Sequence, residues 1–203
     1  MARKRSFDEQ AVLRAARDVF WVRGYEASSL DLLQEAMGLS RSSLYETFGS
    51  KRALFARVLE GYLAEVIDPR LAPLDRPGAG FDSLITYFED FGKFFRAAPA
   101  KLAGRGCLLL NTATELAVLD DDAAAMVENY RRRMAAVFLA ALGQAVQDGD
   151  LEADEGATRR RAELLTAQVV GLFLTSRLSL PAAAGLATAI AAEIRSWRPS
   201  RRP

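Results

Sequence analysis

Arg41, Ser42, Ser43, Tyr45, Glu46 and Thr47 crowd hydrogen-bonding side chains into one short stretch. On a helix the intervening Leu44 and Phe48 turn inward together, leaving the polar groups on the opposite face. Such a face suits a DNA major groove, where Arg reads guanine edges and hydroxyls reach bases or phosphates. Lys51 opens the following segment, where its ammonium and free helix amides can both face a phosphate. The bland alternative is a solvated surface helix without a partner.

A second constellation is aromatic. Leu84, Tyr87, Phe88, Phe91, Phe94 and Phe95 recur at helical spacing, and their excess of rings leaves room for a cavity. Phe88, Phe91, Phe95, Cys107, Asn111, Glu115, Tyr130, Met134 and Phe173 are the candidate lining of a site for an apolar or aromatic small molecule. Asn111 and Glu115 lie one helical turn apart and can face one cavity. Cys107 precedes a predicted helix, where free amides, the dipole and Arg105 could lower its pKa and make it a sensor. A buried, inert thiol is the alternative.

Other chemistry is limited by composition. The 203 residues include no His and one Cys, which removes His-based triads, intrachain disulfides, and Cys-rich or His-containing zinc sites. No metal or cofactor is expected. Carboxylate catalysis through Glu115 and the Asp120 to Asp122 triplet survives the count, but no paired-carboxylate or phosphate-loop motif supports it. The triplet reads better as a helix cap. No apolar run is long enough to span a membrane, and the basic N-terminus lacks the apolar stretch of a secretory signal. With its single thiol the chain fits a reducing cytoplasm. Residues 1–57 carry 10 basic and 7 acidic side chains, against 17 and 19 in the remainder. Arg195, Arg198, Arg201 and Arg202 read as a solvated tail.

The elements that must position these groups are all helical by periodicity. A capping box at Ser6 and Glu9 opens a helix with the stripe Val12, Ala15, Ala16, Val19 and Phe20, closed by Gly24. Ser28 and Ser29 open a second helix, closed by Gly38. Ser40 caps a third, and Ser50 caps a fourth that ends before Pro69. Residues 68–80 read as a loop. Helices follow near 81–97, 106–118, 121–147, 157–178 and 181–196. The helix around Leu164 to Leu174 is apolar nearly all round, which fits packing on the core and on a second subunit. The expected fold is all-α, with a small module at residues 1–50 and a larger helical body at 51–203.

Gly38, Leu39 and Ser40 space two short helices as in a helix-turn-helix. Together with Ala16, Phe20, Gly24, Tyr25, Ser28, Ser29 and Leu30 before them, and Arg41 to Tyr45, Thr47, Phe48, Lys51 and Leu54 after, they resemble the TetR family of bacterial transcriptional regulators. The match is gapless over roughly residues 8–62. The resemblance implies a homodimer, with a three-helix DNA-binding domain and a helical effector-binding and dimerisation domain on each subunit. It places Arg41, Ser42, Ser43, Tyr45 and Thr47 toward double-stranded DNA, with Tyr45 and Lys51 on phosphates and Ser28 and Ser29 near the backbone. It also implies dimerisation through residues 157–178 and 181–196. Gly106, Cys107 and Leu108 resemble a branch of the family with members that sense oxidants or electrophiles at such a cysteine. Ser42 departs from a common Gly or Pro. Gln34 departs from a usual Ala where two helices approach, and its side chain could reach toward DNA. The expectation is a ligand-responsive repressor on a pseudo-palindromic operator, with a thiol switch at Cys107 as the rival.

Overall fold

In the computed structural model, which describes residues 7–99, 102–115 and 121–199, all regular structure among the described residues is helical. Helix α1 (Glu9–Arg23) starts at Asp8, whose carboxylate accepts from the amides of Gln10 and Ala11. Ser6, the expected cap, lies outside the described residues. Asp8 does the capping because its short side chain reaches the first free amides. Helices α2 (Leu30–Met37), α3 (Arg41–Phe48) and α4 (Lys51–Tyr62) begin at Ser29, Ser40 and Ser50. Each of these hydroxyls accepts from the amide three residues on, at 3.0–3.2 Å. Gly38 closes α2 in the left-handed region, φ 65°, which turns the chain sharply enough to start α3.

The helix expected to stop before Pro69 continues past it. A π-helical turn (Leu63–Ile67) follows α4 and passes directly into α5 (Asp68–Leu71). The Asp68 N–H bonds five residues back to the Leu63 carbonyl, and Pro69 follows this π-type bond. The rest of the body comprises α6 (Phe81–Ala97), α7 (Leu108–Thr112) with a 3-10 turn to Glu115, α8 (Asp121–Gln147), α9 (Glu155–Leu178) and α10 (Leu180–Ser196). Helix α6 lies along α10, and α8 along α9. Residues 116–118, expected to be helical, and Asp120 lie outside the described residues.

The aromatic stripe of α6 is core. Phe88 stacks with Phe138 at 6.0 Å, and Phe91 and Phe95 meet Phe173 at 5.3 and 6.0 Å. Tyr87 is edge-on to Phe88, Phe91 and Phe138. Offset and edge-on rings fill space well, so these side chains pack chiefly on one another. The C-terminal arginines are also not all a solvated tail. Arg195 pairs with Glu89, and Arg198 pairs with Asp82 and Asp150 and covers the Phe81 ring. They fasten the end of α10 to α6. Arg201 and Arg202 lie outside the described residues.

Helix α9 buries Leu165, Val169, Leu172 and Phe173 while Leu164, Val170, Leu174 and Leu178 stand exposed, Leu178 at 85%. Its apolar surface therefore extends beyond what one chain covers. Among the described residues no helix is long and apolar enough to cross a membrane. Phe138→Ala should destabilise the chain by about 3–5 kcal/mol. Urea unfolding measures this, and a loss under about 1 kcal/mol would mean that the aromatic cluster is loosely packed.

Candidate nucleic-acid interface and its tether to the body

The outer face of α3 presents Arg41, Ser42, Tyr45 and Glu46 to solvent, with Ser43 and Thr47 half-buried and Leu44 and Phe48 buried beneath. The Arg41 guanidinium lies 6.0 Å from the Tyr45 ring centroid, a cation–π distance that holds both side chains over one patch. The Ser40 hydroxyl is 2.9 Å from Ser42 Oγ and donates to Ser43 Oγ at 3.0 Å. The cap thus organises the first turn of the helix. Ser29 is exposed and spends its hydroxyl on capping α2.

Three expectations change here. Ser28 is fully buried and donates to the Gly24 carbonyl, so it belongs to the turn and not to the exposed face. Gln34 donates its amide to the Leu30 carbonyl one turn back, so it does not reach outward. Lys51 does not project freely. Its ammonium donates to the Glu26 carbonyl at 3.3 Å and sits 4.5 Å over the Tyr25 ring. Partial burial lowers its pKa, opposed by the charges of Glu115 and Glu26.

The same corner ties the module to the body. Glu115 Oε1 and Oε2 accept from the amides of Tyr25 and Glu26 at 3.1 and 3.0 Å. Gly24, at φ 80°, permits this, because a Cβ there would overlap the Glu115 carboxylate. Arg105 pairs with Asp18 at 2.9 Å, and the Trp21 indole N–H donates to the Arg105 carbonyl at 3.0 Å. Asn111 donates to that same carbonyl at 2.6 Å and accepts from Arg177 at 3.2 Å. Asn111 and Glu115 therefore face the junction, where they border a cavity of about 140 Å³, and not the aromatic core. Arg17 adds a 2.7 Å ion pair from α1 to Glu65 in the π turn. On its other side α1 packs on α4, where Phe55 lies 4.8 Å from Phe20 and 5.0 Å from Tyr25.

Residues 12–58 match the bacterial regulatory proteins of the tetR family. The chain is 27% identical over 179 residues to an uncharacterised HTH-type transcriptional regulator, YezE, of Bacillus subtilis, covering 88% of this chain and 91% of that one. It is 29% identical over 176 residues to the HTH-type transcriptional repressor ComR of Escherichia coli, covering 86% and 82%. A cysteine-substituted form of the TetR-family regulator CifR, solved with 26-bp double-strand operator DNA, is 30% identical with a TM-score of 0.77, covering 97% of this chain and 100% of that one. The chain belongs to the TetR family of transcriptional regulators.

That family consists of regulators, not enzymes, and Glu115, Asp121 and Asp122, the described carboxylates of the set considered for catalysis, have structural positions. Glu115 holds the end of α1, and Asp121 and Asp122 stand in the first turn of α8. The effector set proposed from sequence divides. Phe88, Phe91, Phe95, Tyr130, Met134 and Phe173 are buried side chains of the TetR-family body, whereas Asn111 and Glu115 lie at its junction with α1. Cys107 occupies the N-cap position of α7, as expected, but with 0% exposure. Burial pushes its thiol pKa up, outweighing the amides of Leu110 and Leu109, the Tyr62 hydroxyl and the charge of Arg70. The expected lowering of the thiol pKa is therefore corrected: burial raises it. Arg105 does not help it, since that guanidinium is turned to Asp18 and Trp21.

Sequence reasoning missed Trp21 and the Arg105 carbonyl that it grips. Trp21 lies off the stripe that α1 buries in its own module, and that displacement was the available signal. Native Cys107 should resist iodoacetamide at neutral pH and react once the chain is unfolded, as mass spectrometry would record. Prompt alkylation of the folded protein would restore the sensor reading. Glu115→Ala should cost about 1–3 kcal/mol by leaving two amides without their acceptor. Hydrogen exchange at Tyr25 and Glu26 should accelerate, and unchanged protection there would show that the clamp is not formed in solution.

Proposed function

We propose that this TetR-family chain is a homodimeric repressor that binds a pseudo-palindromic operator and is released by a small-molecule effector. The observation that carries this reading is the α3 face itself. Polar side chains stand outward on a helix whose cap, turn and underside are all fully engaged, so they can enter a groove with little reorganisation. CifR, 30% identical to this chain, was solved with operator DNA, which supports DNA binding here. Arg41, Ser42 and Thr47 are assigned to base edges, and Ser29, Ser43, Tyr45 and Lys51 to the backbone. Lys51 would leave the Tyr25 ring for a phosphate, exchanging a neutral carbonyl for a full charge.

In this reading residues 1–50 form the reading head and residues 51–203 the effector and dimerisation body, with α4 packed against both. The exposed Leu164, Val170, Leu174 and Leu178, with Ala182, Gly185, Ala189 and Ala192 of α10 beside them, would form the homodimer face. Two heads fixed by that face could read successive major grooves. An effector acts by preferring a dimer in which the heads no longer match the operator spacing, and its leverage equals its difference in affinity for the two states. Glu115 and the α4 rod are the connections through which such a shift would travel.

DNA selected from genomic fragments by the purified protein supplies the operator for fluorescence anisotropy. Arg41→Ala should weaken specific binding by about 1–3 kcal/mol and relax base preference at one position of each half-site. Lys51→Ala should weaken binding to every sequence and lower the salt slope by about 1. Wild-type affinity in both variants would exclude α3 as the reading element.

A further inference from the structure

The effector itself can be characterised from a cleft on the flank of the body. Where the α4 run ends, Pro69, Arg70 and Pro73 face Tyr87, Phe91 and Phe94 of α6 across a cavity of about 190 Å³. Its floor is aromatic and buried. Tyr87 and Phe91 meet edge to face at 5.0 Å beneath it, and half-buried Phe94 forms a wall.

Arg70 sets the sign of what can enter. Its guanidinium lies 4.8 Å from the Phe94 ring centroid, and Nη1 donates to the Val66 carbonyl at 2.8 Å. The neighbouring carboxylates are committed elsewhere: Asp68 and Asp75 pair with Arg133, and Asp90 on the cleft rim pairs with Lys93 at 2.8 Å. A half-buried guanidinium with a hydrogen bond from Nη1 and no ion pair among the described residues, beside an aromatic floor, is a receptor for a planar anion. Size narrows the class further. A cavity of about 150 Å³ admits a benzene ring, so this cleft has room for a single ring with a carboxylate.

We propose that this cleft binds a single-ring aromatic carboxylate, its ring on Tyr87, Phe91 and Phe94 and its carboxylate on Arg70. The proposal deepens the effector reading above and rests on it for the consequence of binding. Arg70 belongs to the helical run that starts at Lys51, so a ligand gripping it holds the far end of a rod about 30 Å long whose other end packs in the reading head. A carboxylate that draws Arg70 toward α6 would tilt that rod relative to the dimer face.

Benzoate is the probe, titrated calorimetrically into the full-length protein beside benzamide and acetate. Benzoate should bind about tenfold more tightly than neutral benzamide, the worth of one charge-assisted hydrogen bond. It should also outbind acetate, which lacks the ring. Arg70→Gln should abolish that preference over benzamide. Thr86→Trp, which changes an exposed rim residue and leaves the core alone, should block benzoate with no change in thermal melting. No detectable binding, equal binding of benzoate and benzamide, or full affinity in Arg70→Gln would overturn the site. Operator anisotropy on the same preparation separates the two readings. Benzoate that occupies the cleft without weakening operator binding upholds the site and overturns effector release through it, whereas absence of any specific DNA binding overturns the regulator reading alone.

Discussion

One carboxylate holds the two halves of this molecule in register. Glu115 accepts from the amides of Tyr25 and Glu26 just after α1 ends, and the turn there can approach so closely because residue 24 carries no side chain. Without that acceptor two amides at the exit of α1 would look to water, and the body would touch the reading head chiefly through side chains. Arg105, Trp21 and Asn111 surround the clamp with bonds to the Arg105 carbonyl and to Asp18. Hydrogen bonds are directional where apolar contacts are not. This junction therefore gives the N-terminal helices a defined orientation on the body.

Apolar packing supplies stability elsewhere and leaves two surfaces unfinished. The rings of α6, α8 and α9 pack on one another, Phe88 on Phe138 and Phe91 on Phe173, and all four are buried. A cleft of about 190 Å³ lies on the flank, where Pro69, Arg70 and Pro73 face Tyr87, Phe91 and Phe94. A π turn is a common mark of a functional position in a helix. Here it directly precedes the arginine that faces the cleft. The second unfinished surface is the apolar outer side of α9, which a subunit partner would cover.

Much of the reading head was legible in the sequence because its determinants are local. A serine satisfies the amide three residues on, a glycine takes the left-handed turn, and Leu44 with Phe48 turns one side of a two-turn helix inward. Each rule spans four or five residues. The body was less legible. The helices can be read from their period, and Asn111 and Glu115 do border one cavity, but it lies at the junction with α1, because helical spacing says which residues share a face and not what that face meets. Pro69 was read as a stop since its effect depends on the hydrogen-bond pattern before it, and the π turn altered that pattern.

Cys107 and Arg70 mark the boundary between the two kinds of knowledge. The sequence alone determined the all-helical class, the caps, the turn between α2 and α3 and the polar set on α3, since backbone hydrogen bonding and helical period act within a few residues. It also placed Cys107 at a helix start, where a thiol can be activated. Only the tertiary structure decided that this thiol is fully buried, hydrogen-bonded with Tyr62, and that desolvation outweighs the amides beside it. It likewise turned Arg70, one of many arginines in the chain, toward an aromatic floor with no carboxylate committed to it among the described residues. Burial and the charge of a neighbour are sums over the whole surrounding volume, and a linear pattern of residues does not contain that volume.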